Sequence, residues 1–269
     1  WQDTFGFVDH NSSQYQGFGI IYELVSIGES SQDKLPIYAV KLSANVQERE
    51  AEPKVLILGQ CHAEEIYGVE ITMEIIKQYG VDELRYYLMK EVSHGSDGNI
   101  SLKNLENCIN SDLANNYGNL CQRIFSFVKN NCNNQVTKTK SITDEDKKLI
   151  KQTKVLTDDL RNLMNNQDLN NYIKSVINIS FLTNKYINDE EPWKLKKNNI
   201  EKMNNILHLS LEQIAKISIL LNPIIPIATT KVLEALKINT KSRNLSFLDG
   251  KDLIPNNIKL SELSILFKK

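Results

Sequence analysis

The order of apolar and polar residues along the chain predicts two regions of different structure. The first region contains three strand-like runs of apolar and β-branched residues, followed by a helical stretch that ends near Lys77. These runs span Ile20–Ile27, Pro36–Leu42 and Lys54–Leu58. The third run is almost entirely apolar, which is typical of a strand buried on both faces. This order of elements predicts the beginning of an α/β fold.

From about residue 80 onward, apolar residues recur at three- and four-residue spacing, which is the period of an α-helix. The clearest stretch runs from a capping residue, Ser101, to about Asn130, with its apolar positions on one face. The next helix begins at Thr143, which together with Asp146 resembles a capping box. Further helices are predicted at about 169–187, 199–221 and 227–236. Short connections between them predict an antiparallel helical bundle.

Charge and composition change where the pattern changes. Residues 1–77 contain 5 Lys/Arg and 12 Asp/Glu, whereas residues 78–269 contain 27 and 21. Asparagine rises from 2 residues in the first stretch to 28 in the second. Such a shift marks a boundary between segments with different partners or origins. We therefore predict an α+β chain with two domains, an incomplete α/β fragment of about three strands over 1–77 and a helical bundle over 78–269.

Neither region has the composition of a membrane protein. The longest apolar run, Ile217–Ile227, is interrupted by Asn222, Pro223 and Pro226, and it is too short to cross a bilayer. The four cysteines contain no CxxC pair, which favours reduced thiols. We expect a cytoplasmic protein without a membrane partner.

Three residues of the helical region suit a nucleic-acid ligand. Asn119 and Arg123 stand four residues apart and share a helix face, and an amide and a guanidinium can read or stack on bases. Trp193 follows Pro192 in a charged break between helices, where an indole can act as a stacking platform. The alternative is structural, with Asn119 on the surface, Arg123 in a salt bridge and Trp193 as a loop anchor. The residue types alone leave both open.

A series of motifs in the second region resembles methionyl-tRNA synthetase, at the end of its catalytic region and in its helical anticodon-binding domain. The matching segments are Tyr79–Leu88, Gly95–Ser101, Ile109–Leu120, Pro192–Leu195 and Leu266–Phe267. The resemblance implies that Asn119, Arg123 and Trp193 bind the CAU anticodon of a methionine-type tRNA. The family's His-Ile-Gly-His and Lys-Met-Ser-Lys-Ser motifs do not occur in this sequence. We therefore expect tRNA binding without an ATP site and without aminoacylation by this chain alone.

The first region contains two candidate metal ligands, His62 and Glu65, directly after the third strand-like run. An imidazole and a carboxylate at this spacing can converge on one zinc ion, but a catalytic zinc site uses three protein ligands. Ordinary surface chemistry is the alternative explanation for the pair.

The surrounding segments Glu23–Ser30, Leu35–Leu42 and Pro53–Glu65 resemble the opening of zinc metallocarboxypeptidases. The resemblance implies an α/β fold, zinc as the cofactor, and His62 and Glu65 as two of its ligands. No segment after residue 77 matches the family's third ligand or its general base, so the site is incomplete. We interpret the chain as a fusion, or chimera, of the two families, with a synthetase whose front has been replaced as the alternative. A zinc peptidase, or a hybrid with neither activity, is the competing functional hypothesis.

Overall fold

The computed structural model divides the chain into two compact units, Trp1–Leu84 and Arg85–Lys269. It describes residues 22–29, 34, 36–42, 67–92, 98, 100–139, 142–244, 248 and 252–268. Helices account for most of these residues. None of the described helices is long and apolar enough to cross a membrane. The domain limits at residues 77 and 78 stay a prediction.

Among its described residues, the first unit contains two paired strands. Strands β1 (Tyr22–Glu29) and β2 (Pro36–Leu42) are antiparallel, and their register shifts between Ser26 and Gly28. Strand β1 therefore runs through Gly28, where the sequence predicted its end. The third predicted strand lies outside the described residues.

Helix α1 (Tyr67–Tyr79) follows in the same unit and stops at Gly80. Gly80 has φ of +115°, a conformation that only glycine adopts without strain. A Cβ atom there would also lie 2.3 Å from the Glu83 carboxylate, so that side chain would have to move. The break separates α1 from α2, which begins one residue later at Val81.

The second unit consists of helices joined by short connections, as the apolar spacing predicted. The helices are α2 (Val81–Glu91, shared with the first unit), α3 (Leu102–Cys108), a π-helix (Ile109–Gly118), α4 (Asn119–Asn131), α5 (Asp144–Asp158), α6 (Leu160–Asn165), α7 (Leu169–Glu190), α8 (Pro192–Leu195), α9 (Ile200–Leu221) and α10 (Pro226–Ala235). Large buried side chains from several of them, including Tyr117, Leu120 and Ile173, form the core. The bundle keeps these apolar faces from water, which is the main source of its stability.

The single helix predicted from Ser101 to about Asn130 is three helical segments in sequence. Ser101 caps α3 by accepting a hydrogen bond from the Asn104 backbone N–H, as predicted. The central ten residues, Ile109–Gly118, form a π-helix with wider turns than an α-helix. Its buried residues Ile109, Leu113 and Tyr117 recur every four residues, a spacing that an α-helix and a π-helix both place on one face.

Helix α5 begins with the predicted capping box. The Thr143 hydroxyl accepts from the Asp146 N–H at 3.2 Å, and the Thr143 N–H donates to the Asp146 carboxylate at 2.8 Å. Asp146 is buried and also accepts from the Tyr186 hydroxyl (2.5 Å) and the Asn205 amide (2.7 Å). Because Tyr186 is on α7 and Asn205 on α9, one carboxylate connects three helices.

Two short strands were not predicted from the sequence. Strand β3 (Gln135–Thr137) pairs antiparallel with β4 (Asn257–Lys259), in two stretches to which the apolar pattern assigned no strand. Beyond β4 the chain returns to the π-helix, and the rings of Phe267 and Tyr117 lie 6.3 Å apart. The C-terminal segment is therefore part of the bundle.

Candidate nucleic-acid interface

Arg123 and Trp193 lie side by side in the second unit. The guanidinium carbon of Arg123 is 5.9 Å from the centroid of the Trp193 ring. At this distance the cation is attracted to the electron-rich face of the indole. Trp193 is 44% exposed, and Arg123 is half-buried. The pair therefore presents an aromatic ring and a planar cation to solvent at one place.

A sharp turn in the backbone positions Trp193. Helix α7 ends at Glu190, and Glu191 adopts a left-handed conformation (φ 44°, ψ 58°). Pro192 then starts α8, where its fixed φ suits the first helical turn and its missing N–H costs no hydrogen bond. The Lys194 amino group lies 2.8 Å from the Glu191 carboxylate across this turn. The chain thus leaves the direction of α7 immediately before Trp193.

A side chain from α7 orients Arg123. Nη2 of Arg123 donates a hydrogen bond of 2.8 Å to Oδ1 of Asn188, which is on α7. Arg123 forms no ion pair with any residue that the structure describes, so the salt bridge considered from the sequence is not found among them. An amide partner leaves the positive charge of Arg123 available to a ligand.

The π-helix is fixed against α7 by a buried amide, and Asn119 follows directly after it. Asn116 Oδ1 accepts from the Ser180 hydroxyl at 2.9 Å and from the Asn184 amide at 3.0 Å. Asn119 is the first residue of α4, is exposed, and has no side-chain hydrogen bond within the described part of the chain. It lies one turn before Arg123 on the same face. The three predicted residues therefore reach one region of the surface, with Arg123 and Trp193 in contact.

A cavity of about 270 Å³ opens beside the Arg123–Trp193 pair. Its walls are Arg123, Ile124, Ser126, Phe127, Asn130, Asn131, Ile187, Pro192 and Trp193. Apolar and aromatic walls with a few polar groups at the edge suit a flat heteroaromatic ligand. Sequence reasoning missed Ser126, Asn130 and Asn131. Asn130 could have been found, because it stands seven residues after Arg123 and so on the same helix face.

Lysines pair with two of the acidic residues near this cavity. Glu190 pairs with Lys202 at 2.8 Å, and Glu191 pairs with Lys194 at the same distance. Lys196 donates instead to Asn131 Oδ1 at 3.0 Å, and no acidic partner for it is found in the described ranges. A cation at the rim favours an anionic ligand such as a phosphate.

The predicted zinc ligands His62 and Glu65 lie outside the described residues. Within the part of the chain that is described, no group of three or more His, Cys, Asp or Glu side chains could hold a metal ion. His208 is buried on α9, and its Nε2 lies 3.2 Å from the Pro255 carbonyl oxygen. Burial lowers its pKa below the usual 6.5. This histidine links two parts of the bundle.

Comparison with protein families gives three matches along the chain. Residues 136–269 match the anticodon-binding domain of methionyl-tRNA ligase. Residues 66–125 match class I tRNA synthetases of the methionine type. Residues 15–83 match zinc carboxypeptidase, and this match overlaps the second one. Residues 66–125 and 136–269 thus match two parts of methionyl-tRNA synthetases.

Individual relatives agree with the two synthetase matches. The methionine–tRNA ligase of Rickettsia felis is 35% identical over 200 residues, which is 73% of this chain and 39% of that protein. The methionine–tRNA ligase of Rickettsia typhi is 31% identical over 249 residues, which is 88% of this chain and 49% of that protein.

Solved structures of methionyl-tRNA synthetase share the fold. The Mycobacterium tuberculosis enzyme bound to methionyl-adenylate has a TM-score of 0.68 at 27% identity, over 72% of this chain and 39% of that one. Its apo form has a TM-score of 0.67. The chain spans less than half the length of these relatives. Its helical region is related in sequence and in fold to methionine–tRNA ligases, in a part that includes their anticodon-binding domain.

Proposed function

We propose that this chain binds the anticodon of a methionine-type tRNA, CAU, with Arg123, Trp193 and Asn119. The observation that supports the proposal most directly is the exposed Arg123–Trp193 contact at the wall of a cavity. Sequence-specific RNA binding targets unstacked loop bases, which stack on aromatic rings and guanidinium planes. The methionine–tRNA ligase relatives give tRNA as the partner to be expected.

Each residue has a role that follows from its chemistry. The indole of Trp193 stacks on one base and the guanidinium of Arg123 on a base or its edge, because both groups are planar and partly exposed. The amides of Asn119 and Asn130 can donate to and accept from base edges, which supplies discrimination between anticodons. Lys196 at the rim contacts a phosphate.

We propose binding alone, without adenylate formation, for this chain. The M. tuberculosis enzyme was solved with methionyl-adenylate, but the similarity covers only 39% of that protein. The two signature motifs of the synthetase's ATP site do not occur in the present sequence.

Binding of the whole chain to an anticodon stem–loop at fixed salt tests the proposal. The RNA with CAU should bind more tightly than the same RNA with an altered anticodon. Trp193→Ala and Arg123→Ala should each weaken binding by about 1–3 kcal/mol, as loss of a stacking or base contact does. Trp193→Phe should recover part of the loss because it keeps a ring.

Arg161→Ala is the matched control. This variant removes an exposed arginine of α6, outside the cavity wall, and changes the net charge equally. Equal binding by Arg161→Ala and Arg123→Ala, or no discrimination between anticodons, would refute the proposal. Retained helical circular dichroism in each variant would exclude unfolding as the cause.

The match of residues 15–83 favours a second candidate, a zinc-binding fragment of the carboxypeptidase type. Its support is the sequence match and the presence of His62 and Glu65. Measurement of zinc per chain, for the wild type and for His62→Ala, tests it. A ratio near zero in the wild type would dismiss this candidate and leave the tRNA proposal unaffected.

A further inference from the structure

Helix α7 carries a row of exposed polar residues with one aromatic ring among them. The row is Lys174, Asn178, Phe181, Lys185 and Asn188, and all five are exposed. Their spacing of three and four residues places them on a single helix face. Phe181 is 50% exposed, although the opposite face of α7 is buried in the core. The ring therefore stands between two lysines instead of packing inside.

The two lysines of this row have no partner within the described ranges. Lys174 and Lys185 form neither an ion pair nor a hydrogen bond with a described residue. Lys194 and Lys202, by contrast, neutralise nearby carboxylates. The row thus combines an exposed ring, two lysines without an ion-pair partner among the described residues, and two amides. Lysine is depleted in protein–protein interfaces, whereas a cationic groove with stacking rings is typical of single-stranded nucleic-acid sites.

The row is continuous with the Arg123–Trp193 cavity. Its last member, Asn188, accepts the hydrogen bond from Arg123. Asn116 contacts Ser180 and Asn184, so the π-helix and α4 run beside α7 in the same direction. Phe181 is seven residues before Asn188, which is about 10 Å along the helix. That length corresponds to about three stacked nucleotides.

We propose that Phe181 stacks on a nucleotide of the anticodon loop outside the anticodon itself, while Lys174 and Lys185 contact the adjoining phosphates. This inference rests on the proposed function and extends its surface along α7. Stacking by Phe181 is tolerant of base identity because every base has a flat face. The row therefore contributes affinity and register, and the cavity contributes the discrimination between anticodons.

Affinity of the full chain for a synthetic CAU anticodon stem–loop tests the role of Phe181. Phe181→Ala should weaken binding about 5- to 150-fold, and Phe181→Trp should restore it, since the larger ring still stacks. Val155→Ala is the matched control, because Val155 is 64% exposed on α5 and outside the row. Phe181→Ala should lower affinity for CAU and altered anticodons by the same factor.

Two further measurements locate the contact. Abasic substitution at one loop position outside the anticodon should weaken binding to the wild type and have no further effect on Phe181→Ala. Lys185→Gln should reduce the slope of log affinity against log salt by about 0.7, and the exposed Lys151→Gln on α5 should leave it unchanged.

The outcomes separate this inference from the function on which it rests. If Arg123→Ala and Trp193→Ala weaken binding while Phe181→Ala and Lys185→Gln bind as the wild type does, the inference is wrong and the anticodon proposal stands. If the wild type does not bind the stem–loop, or binds it equally well without Arg123 and Trp193, both are wrong. A loss with Phe181→Trp equal to that with Phe181→Ala also overturns the stacking role.

Discussion

Asp146 is the residue whose loss should damage the bundle most directly. Its buried carboxylate accepts hydrogen bonds from Tyr186 on α7 and Asn205 on α9, and it completes the capping box with Thr143 on its own helix. Burial, and then the hydrogen bond from Tyr186 to Asp146, raise the pKa of the Tyr186 phenol, so Tyr186 remains the donor. Asp146→Ala removes the acceptor and leaves all three donors in place.

The expected cost follows from the groups left behind. Each hydrogen bond to a charged group contributes about 1.5–3 kcal/mol, and an unpartnered buried donor retains its desolvation penalty. The two bonds from Tyr186 and Asn205 therefore account for about 3–6 kcal/mol, and loss of the cap adds about 1 kcal/mol. The total, about 4–7 kcal/mol, is comparable with the whole stability of many domains. We expect Asp146→Ala to be largely unfolded or close to it at 25 °C.

Urea denaturation followed by far-ultraviolet circular dichroism tests this expectation, because a largely unfolded variant shows no cooperative transition and a marginally folded one shows a much lower midpoint. Asp144→Ala is the control, since Asp144 is exposed in the first turn of the same helix and its carboxylate pairs with Lys147 within that turn. This variant should unfold near the wild-type midpoint, because exposed ion pairs contribute little. If Asp146→Ala lowers the unfolding free energy by less than about 1 kcal/mol, the reasoning is refuted, since hydrogen bonds to a charge contribute more than that.

Two smaller perturbations test other contacts of the bundle. Gly118→Ala should lower the unfolding free energy by about 1–3 kcal/mol in the same urea assay, because a Cβ there would lie 2.9 Å from the Leu113 carbonyl oxygen and 3.0 Å from the Phe267 ring. If Gly118→Ala costs as much unfolding free energy in a Phe267→Leu variant as in the wild type, the Phe267 ring is not the obstacle. The pKa of His208 is lowered in the folded state by burial, so its neutral form contributes stability above about pH 6.5, and this contribution is lost as pH falls through the lower folded-state pKa. His208→Gln, which can still donate to Pro255, should flatten the decline in stability below pH 6.5, and an unchanged pH profile would contradict the assignment.

Much of the bundle could be predicted from the sequence, because its helix ends are encoded locally. Ser101 and Thr143 cap the helices that they were expected to cap, since each hydroxyl is three residues from the N–H it accepts. The strands β3 and β4 could not be predicted in the same way. Each has three residues, and the pairing of Val136 with Ile258 joins distant parts of the chain. Nothing in either short segment identifies its partner.

For the candidate site, too, the residues could be predicted from the sequence but their contacts could not. Asn119, Arg123 and Trp193 were identified from residue type, helix spacing and family resemblance, and their role stays a prediction. Local sequence could not predict that Asn188 accepts a hydrogen bond from Arg123, because helical spacing shows which residues share a face but not which helix lies opposite. The exposure of Phe181 was equally hidden, since an aromatic residue in a helix is ordinarily assigned to the core.

The position of Trp193 depends on backbone strain that the surrounding contacts must offset. A non-glycine residue in the left-handed conformation costs about 1–2 kcal/mol, and Glu191 carries that cost. The pair between Glu190 and Lys202 connects the last residue of α7 to the first turn of α9, while Pro192 fixes the next φ angle. The Glu190 side chain is mostly buried in this pair, and burial of Pro192 against the cavity wall adds to the compensation. The same packing presents the Trp193 ring beside Arg123, so the strained turn and the proposed binding surface are maintained by one set of contacts.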